Sequence, residues 1–161
     1  MARTHDYEAR LTWTGAARGG TTSYEAYSRE HVVEIAGKPP LRGSADALFR
    51  GDRALHNPED LLVAALSACH LLSYLALAAR AGLHVVAYED DAHGTMELVD
   101  GGGHFTEVVL RPRVTVAPGA DAELATRLHD TAHEQCFIAA SMNFPVRHEA
   151  ATVVAEDARR G

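Results

Sequence analysis

Two cysteines, Cys69 and Cys136, are the side chains of this 161-residue chain best suited to covalent chemistry. They stand 67 positions apart and form no CxxC pair, so their spacing indicates neither a zinc ribbon nor a thioredoxin-type site. Each sits in apolar, helical company, where a cysteine most simply serves as a small buried hydrophobe. Each also has polar neighbours: Ser67 and His70 around one, His133, Glu134 and Gln135 beside the other. A buried thiol without help is held protonated and inert. Cys69 lies about three turns into its helix, beyond the reach of the helix macrodipole. A reactive Cys69 therefore needs a cation from elsewhere, an arginine being the best fit, and Glu59 is placed to hold such an arginine by a bidentate pair.

Ten histidines raise a second chemistry. His129 and His133 are four apart on one helix face, with Cys136 three further on, a set of three possible zinc or iron ligands. No second ligand cluster accompanies them, and these histidines read better as surface residues, so no metal and no cofactor is expected. There is no Walker-type loop and no GxGxxG, and Gly101–Gly103 reads as a hairpin turn because no helix follows it. Ser67 and Ser73 lack the strand–turn–helix setting of a hydrolase nucleophile.

The element that must position Cys69 is the stretch from Asn57 to Gly82. Asn57-Pro58-Glu59-Asp60 supplies a capping side chain, a proline at the first helical position and two acids in the first turn. Gly82 stops the helix. Between them nearly every residue is apolar or small, the pattern of a helix buried on all sides. At about 24 residues it spans roughly 36 Å, long enough to cross a membrane. Its Ala and Ser content, its central Cys-His pair and the strand-like segments beyond it argue instead for a core helix.

Before this helix, residues 8–14, 21–28 and 31–36 read as three strands, and 41–56 as a loop of a length that is usually functional or mobile. After it come strands near 83–88 and 94–99, a turn at 100–103, and one long strand at 104–117 in which Pro112 marks an edge or a bulge. A second helix follows at about 121–134, then a further helical turn at 136–141, a last strand at 146–156 and a charged, frayed tail at 156–161.

Composition narrows the partners. The net charge is −7 with no Lys/Arg-rich run, which argues against nucleic acid. The first residues, MARTHDYEARL, contain no apolar stretch of a signal peptide, so the expected location is the cytoplasm, with reduced thiols and no structural disulfides. The chain is read as a single domain, 1–161: N-terminal strands and loop to 56, central helix 57–82, and strands with the second helical region from 83. Runs of strands with two helices indicate an α+β fold with antiparallel sheet. One sheet covers only one side of a helix that is apolar all round, so a second copy of the chain is expected on the other side. Ten residues of helix place Glu59 about 15 Å from Cys69 along the axis. If both serve one site, Glu59 must come from the partner across an antiparallel helix pair.

Asn57-Pro58-Glu59-Asp60-Leu61-Leu62, then Ser67-Ala68-Cys69, then Ala132-His133-Glu134-Gln135-Cys136, resemble the OsmC/Ohr family of thiol peroxidases over most of the chain. The resemblance implies an intertwined homodimer with antiparallel sheets wrapped around two long central helices. It also implies a two-cysteine reduction of organic hydroperoxides. Cys69 would attack the O–O bond to give a sulfenic acid, Cys136 would condense with it to a disulfide, and an external dithiol would reduce that bond. Glu59 would orient the activating arginine. Family positions suggest Arg18 first, with Arg50 or Arg29 as alternatives. His70 and Phe137 depart from the residues many members carry there. The other reading is a dimer of the same fold that binds a small apolar ligand without turnover, with Leu66, Leu71, Phe137 and Ile138 as apolar walls.

Overall fold

The computed structural model describes residues 3–157; part of the charged C-terminal tail lies outside the described residues. The chain divides into two compact units, with the boundary between Leu62 and Val63 inside one continuous helix.

In the first unit, β1 (Arg10–Trp13), β2 (His31–Glu34) and β3 (Leu41–Gly43) form an antiparallel sheet in that order. Two expectations change here. Residues 21–28 are turns and bends rather than a strand, and β3 lies inside the segment read as a loop. Tyr24 and Tyr27 have strand-forming side chains, yet they pack edge-on against each other, and Tyr27 does the same against Trp13.

Helix α1 (Pro58–Arg80) begins as its sequence requires. Asn57 Oδ1 accepts the Asp60 backbone N–H at 2.7 Å, and the helix ends before Gly82, whose φ of 71° favours glycine. By length and composition α1 is apolar enough to cross a membrane. Within the second unit it behaves as a packed helix with one buried face, Leu66, His70, Tyr74 and Ala78, spaced by four. The opposite face, including Ala68, Leu72, Leu75 and Ala76, is exposed.

The rest of the second unit holds β4 (Val85–Asp90), β5 (His93–Val99), β6 (Gly102–Leu110), β7 (Pro112–Val116), α2 (Ala122–Glu134), β8 (Val146–His148) and β9 (Ala151–Val154). Its two sheets have the orders β4-β7-β9 and β5-β6-β8. Both are mixed rather than antiparallel: β8 runs parallel to β6, and β9 parallel to β7. The expected long strand at 104–117 is broken at Arg111, so that β6 and β7 serve different sheets. Pro112 opens β7, the central strand of its sheet, where a missing N–H at the first residue is tolerated. The expected last strand likewise divides into β8 and β9. α2 is capped by the Asp121 carboxylate, which accepts the Leu124 N–H at 2.9 Å. Tyr74, Ala78, Leu83, Val114, Val116, Ala125 and Ala132 form the core between α1, α2 and the β4-β7-β9 sheet.

Candidate active site

Cys69 sits half-buried at the middle of α1. Cys136 follows the end of α2, where the chain leaves the helix through Gln135 and turns towards a short 3-10 segment at Ala139–Ser141. It is almost fully enclosed. Its thiol lies close enough to that of Cys69 for each to affect the other's proton, so the fold brings near each other two cysteines separated by 67 residues. Both are free thiols. Burial first, then the neighbouring Cys69 sulfur, pushes the Cys136 thiol up to about 11. The Ala139 N–H, 3.5 Å from Cys136 Sγ, opposes that shift as a donor to the thiolate.

Glu59 and Arg29 are found in the first unit, lining one cavity of about 460 Å³ whose walls include Trp13, Tyr27 and Phe49. Glu59 Oε2 is buried there with no hydrogen-bond partner. The Arg29 guanidinium lies 3.9 Å from the Tyr27 ring centroid and 4.7 Å from that of Tyr24. Its Nη1 donates to the Tyr27 carbonyl and its Nη2 to the Tyr24 carbonyl, each at 2.5 Å. The other two arginines are placed differently. Arg18 is exposed and pairs with Glu30 at 2.8 Å. Arg50 is exposed and ends a 3-10 turn in the left-handed conformation, φ 65°.

The apolar walls read from sequence separate as well. Leu66 is fully buried in the core, whereas Phe137, next to Cys136, is 82% exposed. His129, expected at the surface, is completely enclosed, as is His70 in the central helix. His70 and His129 face each other with Nε2 and Nδ1 3.0 Å apart. Their ring planes differ by 6° and their centroids are 5.4 Å apart, so the rings meet edge to edge, nitrogen to nitrogen. Burial depresses both, His70 to about 4 and His129 to about 3, so both are neutral at physiological pH. His129 thus bonds to His70 and stacks on Tyr74 at 4.1 Å, and among the described residues no three His, Cys, Asp or Glu side chains are arranged to hold a metal ion. The pairing was hidden in the sequence because its partners are 59 residues apart; the one available signal was the four-residue spacing of Leu66, His70, Tyr74 and Ala78.

Residues 51–150 match the family model of OsmC-like proteins. Among solved structures, an OsmC-like protein of unknown function from Vibrio cholerae is 32% identical with a TM-score of 0.83, the match covering 91% of this chain and 99% of that one. An organic hydroperoxide resistance protein from Elizabethkingia anophelis, with thiocyanate bound, is 19% identical with a TM-score of 0.68, covering 96% and 100% of the two chains. One from Legionella pneumophila is also 19% identical with a TM-score of 0.68, covering 95% and 100%. At that identity the last two share the fold. No curated protein matches the chain. With the family model spanning more than half of its length and a solved relative at 32% identity, the chain belongs to the OsmC-like family.

Proposed function

We propose that this protein is a cofactor-free thiol peroxidase that reduces organic hydroperoxides. The observation that carries the reading is the proximity of the Cys69 and Cys136 thiols, close enough for one to raise the proton affinity of the other. Two thiols that a fold brings together from 67 residues apart are poised for disulfide formation. The half-exposed Cys69 is the one a peroxide reaches. Its thiolate attacks one oxygen of ROOH; the O–O bond breaks, the alkoxide leaves as ROH after taking up a proton, and Cys69 becomes a sulfenic acid. The Cys136 sulfur then displaces water from that sulfenic acid to form the Cys69–Cys136 disulfide. A dithiol reductant restores both thiols by exchange and leaves oxidised.

The high proton affinity of Cys136 suits a resolving thiol, which must stay reduced until Cys69 is oxidised. Activation of Cys69 falls to the Arg29–Glu59 cavity of a second copy of the chain. Arg29 is favoured over Arg18 and Arg50 because it alone of the three lines a cavity with Glu59. The homodimer is supported by the exposed apolar face of α1, where Leu72 is 66% and Leu75 37% exposed. The protein is read as a soluble cytoplasmic enzyme, since α1 engages its own unit through Ser67, His70 and Tyr74.

The test is intact mass of the reduced protein after one equivalent of an organic hydroperoxide, for wild type, Cys69→Ser and Cys136→Ser, with a sulfenic-acid trap. Rapid disulfide in wild type and trapped sulfenic acid on Cys69 in Cys136→Ser establish the reaction. Oxidation no faster than that of a free thiol rejects it and turns attention to a non-catalytic ligand in the cavity.

A further inference from the structure

The His70–His129 bond is one of two polar links between the central helix and α2. One turn further along α1, Tyr74 Oη donates to the Ala125 carbonyl at 2.9 Å. As α1 advances from residue 70 to 74, α2 retreats from 129 to 125, so the helices run antiparallel here and the two bonds are successive rungs about 6 Å apart. All the side chains of this ladder are fully buried.

The ladder has a cost. His70 Nδ1 and His129 Nε2 are buried without partners. In a neutral pair one ring donates and the other accepts across the 3.0 Å contact, so the two outer nitrogens are left with one unmet donor and one unmet acceptor. Each is a buried polar atom that has given up its bond to water, and a pair of leucines would avoid both penalties. Apolar packing also supplies the burial, but it is non-directional, and the buried face of α1 carries a single leucine, Leu66, beside His70, Tyr74 and Ala78. Directional bonds fix the rotation of α1 and its sliding along α2, because a slip by one turn would break both rungs. Cys69 immediately precedes His70, and Cys136 lies two turns beyond His129, just past the end of α2. A slip of α1 along α2 would therefore shift Cys69 relative to Cys136 as well as break the rungs.

We propose that His70 and His129 are positioning residues for the thiol–disulfide step, holding Cys69 opposite Cys136 through the cross-helix bond. This rests on the two-cysteine reading above. The experiment equilibrates reduced protein in glutathione redox buffers and reads the Cys69–Cys136 disulfide by intact mass, which gives the effective concentration of one thiol towards the other without any peroxide. The variants are the double leucine, His70→Leu with His129→Leu, the conservative His70→Gln, which keeps a polar atom near the Nε2 position, and Tyr74→Phe, which removes the second rung; folding is followed by denaturant unfolding. The expected result is a fall of at least about tenfold in the double leucine variant, about threefold in Tyr74→Phe, and near wild-type behaviour in His70→Gln. Effective concentrations within twofold of wild type in folded variants lacking a rung would overturn the proposal. If the leucine pair does not fold, Tyr74→Phe decides. Absence of any disulfide in wild type would reject the two-cysteine reading itself and this inference with it.

Discussion

Ser67 Oγ donates to Asp90 Oδ2 at 2.5 Å, and the other oxygen of the same carboxylate accepts the Arg111 backbone N–H at 2.7 Å. One side chain at the end of β4 thus ties α1 to the point where the chain leaves β6 for β7. Replacing Asp90 by Ala removes both acceptors and leaves the Arg111 N–H and the Ser67 hydroxyl to find new partners. The expected loss is about 1–3 kcal/mol of unfolding free energy, measured by urea titration, with Ser67→Ala costing less because it releases only one bond.

The reactivity of Cys136 is expected to depend steeply on pH. With its thiol near 11, Cys136 is ionised in roughly one molecule in ten thousand at pH 7. Alkylation of Cys136 in the reduced protein should accelerate about tenfold for each pH unit between 7 and 10. Peptide mapping after iodoacetamide pulses at each pH provides the measurement, and a flat profile contradicts the expectation.

Stability should fall as the solution is acidified through the range of the buried histidines. Both have folded-state values below the ordinary 6.5, so the unfolded chain binds the extra protons first. Their contribution is complete above about pH 6.5 and is lost as pH drops towards 4. His148 and His133 reinforce the depression of His70, and Asp90 opposes it. His148 also acts on His129. Between pH 7 and 4.5 the wild type should lose at least about 2 kcal/mol more than the His70→Leu, His129→Leu protein, read from paired denaturation curves.

The exposed apolar face of α1 predicts the assembly. Wild type should run in light scattering at twice the 17.3 kDa of the chain. Leu72→Asp places a charge on the most exposed large residue of that face and should shift the mass towards a single chain. The same mass for both proteins would remove α1 from the interface.

Arg29→Ala is expected to slow hydroperoxide-driven oxidation of Cys69 about a hundredfold, by withdrawing the cation that favours the thiolate. Arg18→Ala should change it by less than about threefold, since Arg18 is an exposed partner of Glu30 and exposed pairs contribute little. Stopped-flow oxidation of the two variants beside wild type ranks the arginines directly.

The parts of this fold that could be read from sequence are those written in local signals. Asn57, Pro58 and Gly82 bracket the central helix within two residues of its observed ends, and Asp121 marks the start of α2. The apolar run between Asn57 and Gly82 indicated a helix buried on all sides, whereas within the chain only the stripe Leu66, His70, Tyr74 and Ala78 is buried. What escaped was decided at long range. Leu41-Arg42-Gly43 is too short to show alternation and becomes a strand because β2 is beside it. Tyr24 and Tyr27 look like strand residues, but their carbonyls and rings are occupied by Arg29. Pro112 was legible as an interruption, while the exchange of sheets that it accompanies depended on partners elsewhere in the chain. For the candidate site, type and spacing singled out Cys69, Cys136 and Glu59 as candidates. The ranking of the arginines depended on a cavity, and the His70–His129 pair on a contact that no local pattern encodes.

The two-residue step from β8 to β9 lets one short segment complete both sheets of the second unit, each by parallel pairing with a strand laid down some 40 residues earlier. The β5-β6-β8 sheet lacks its third strand until His148 is available and the β4-β7-β9 sheet until Val154, so during synthesis on the ribosome one short segment completes both in succession. Cys69 therefore emerges long before the core around it is complete, and spends that interval as an unprotected thiol. A clipped or delayed C-terminal segment would unravel two sheets together, making the last strands a sensitive point for proteolytic quality control.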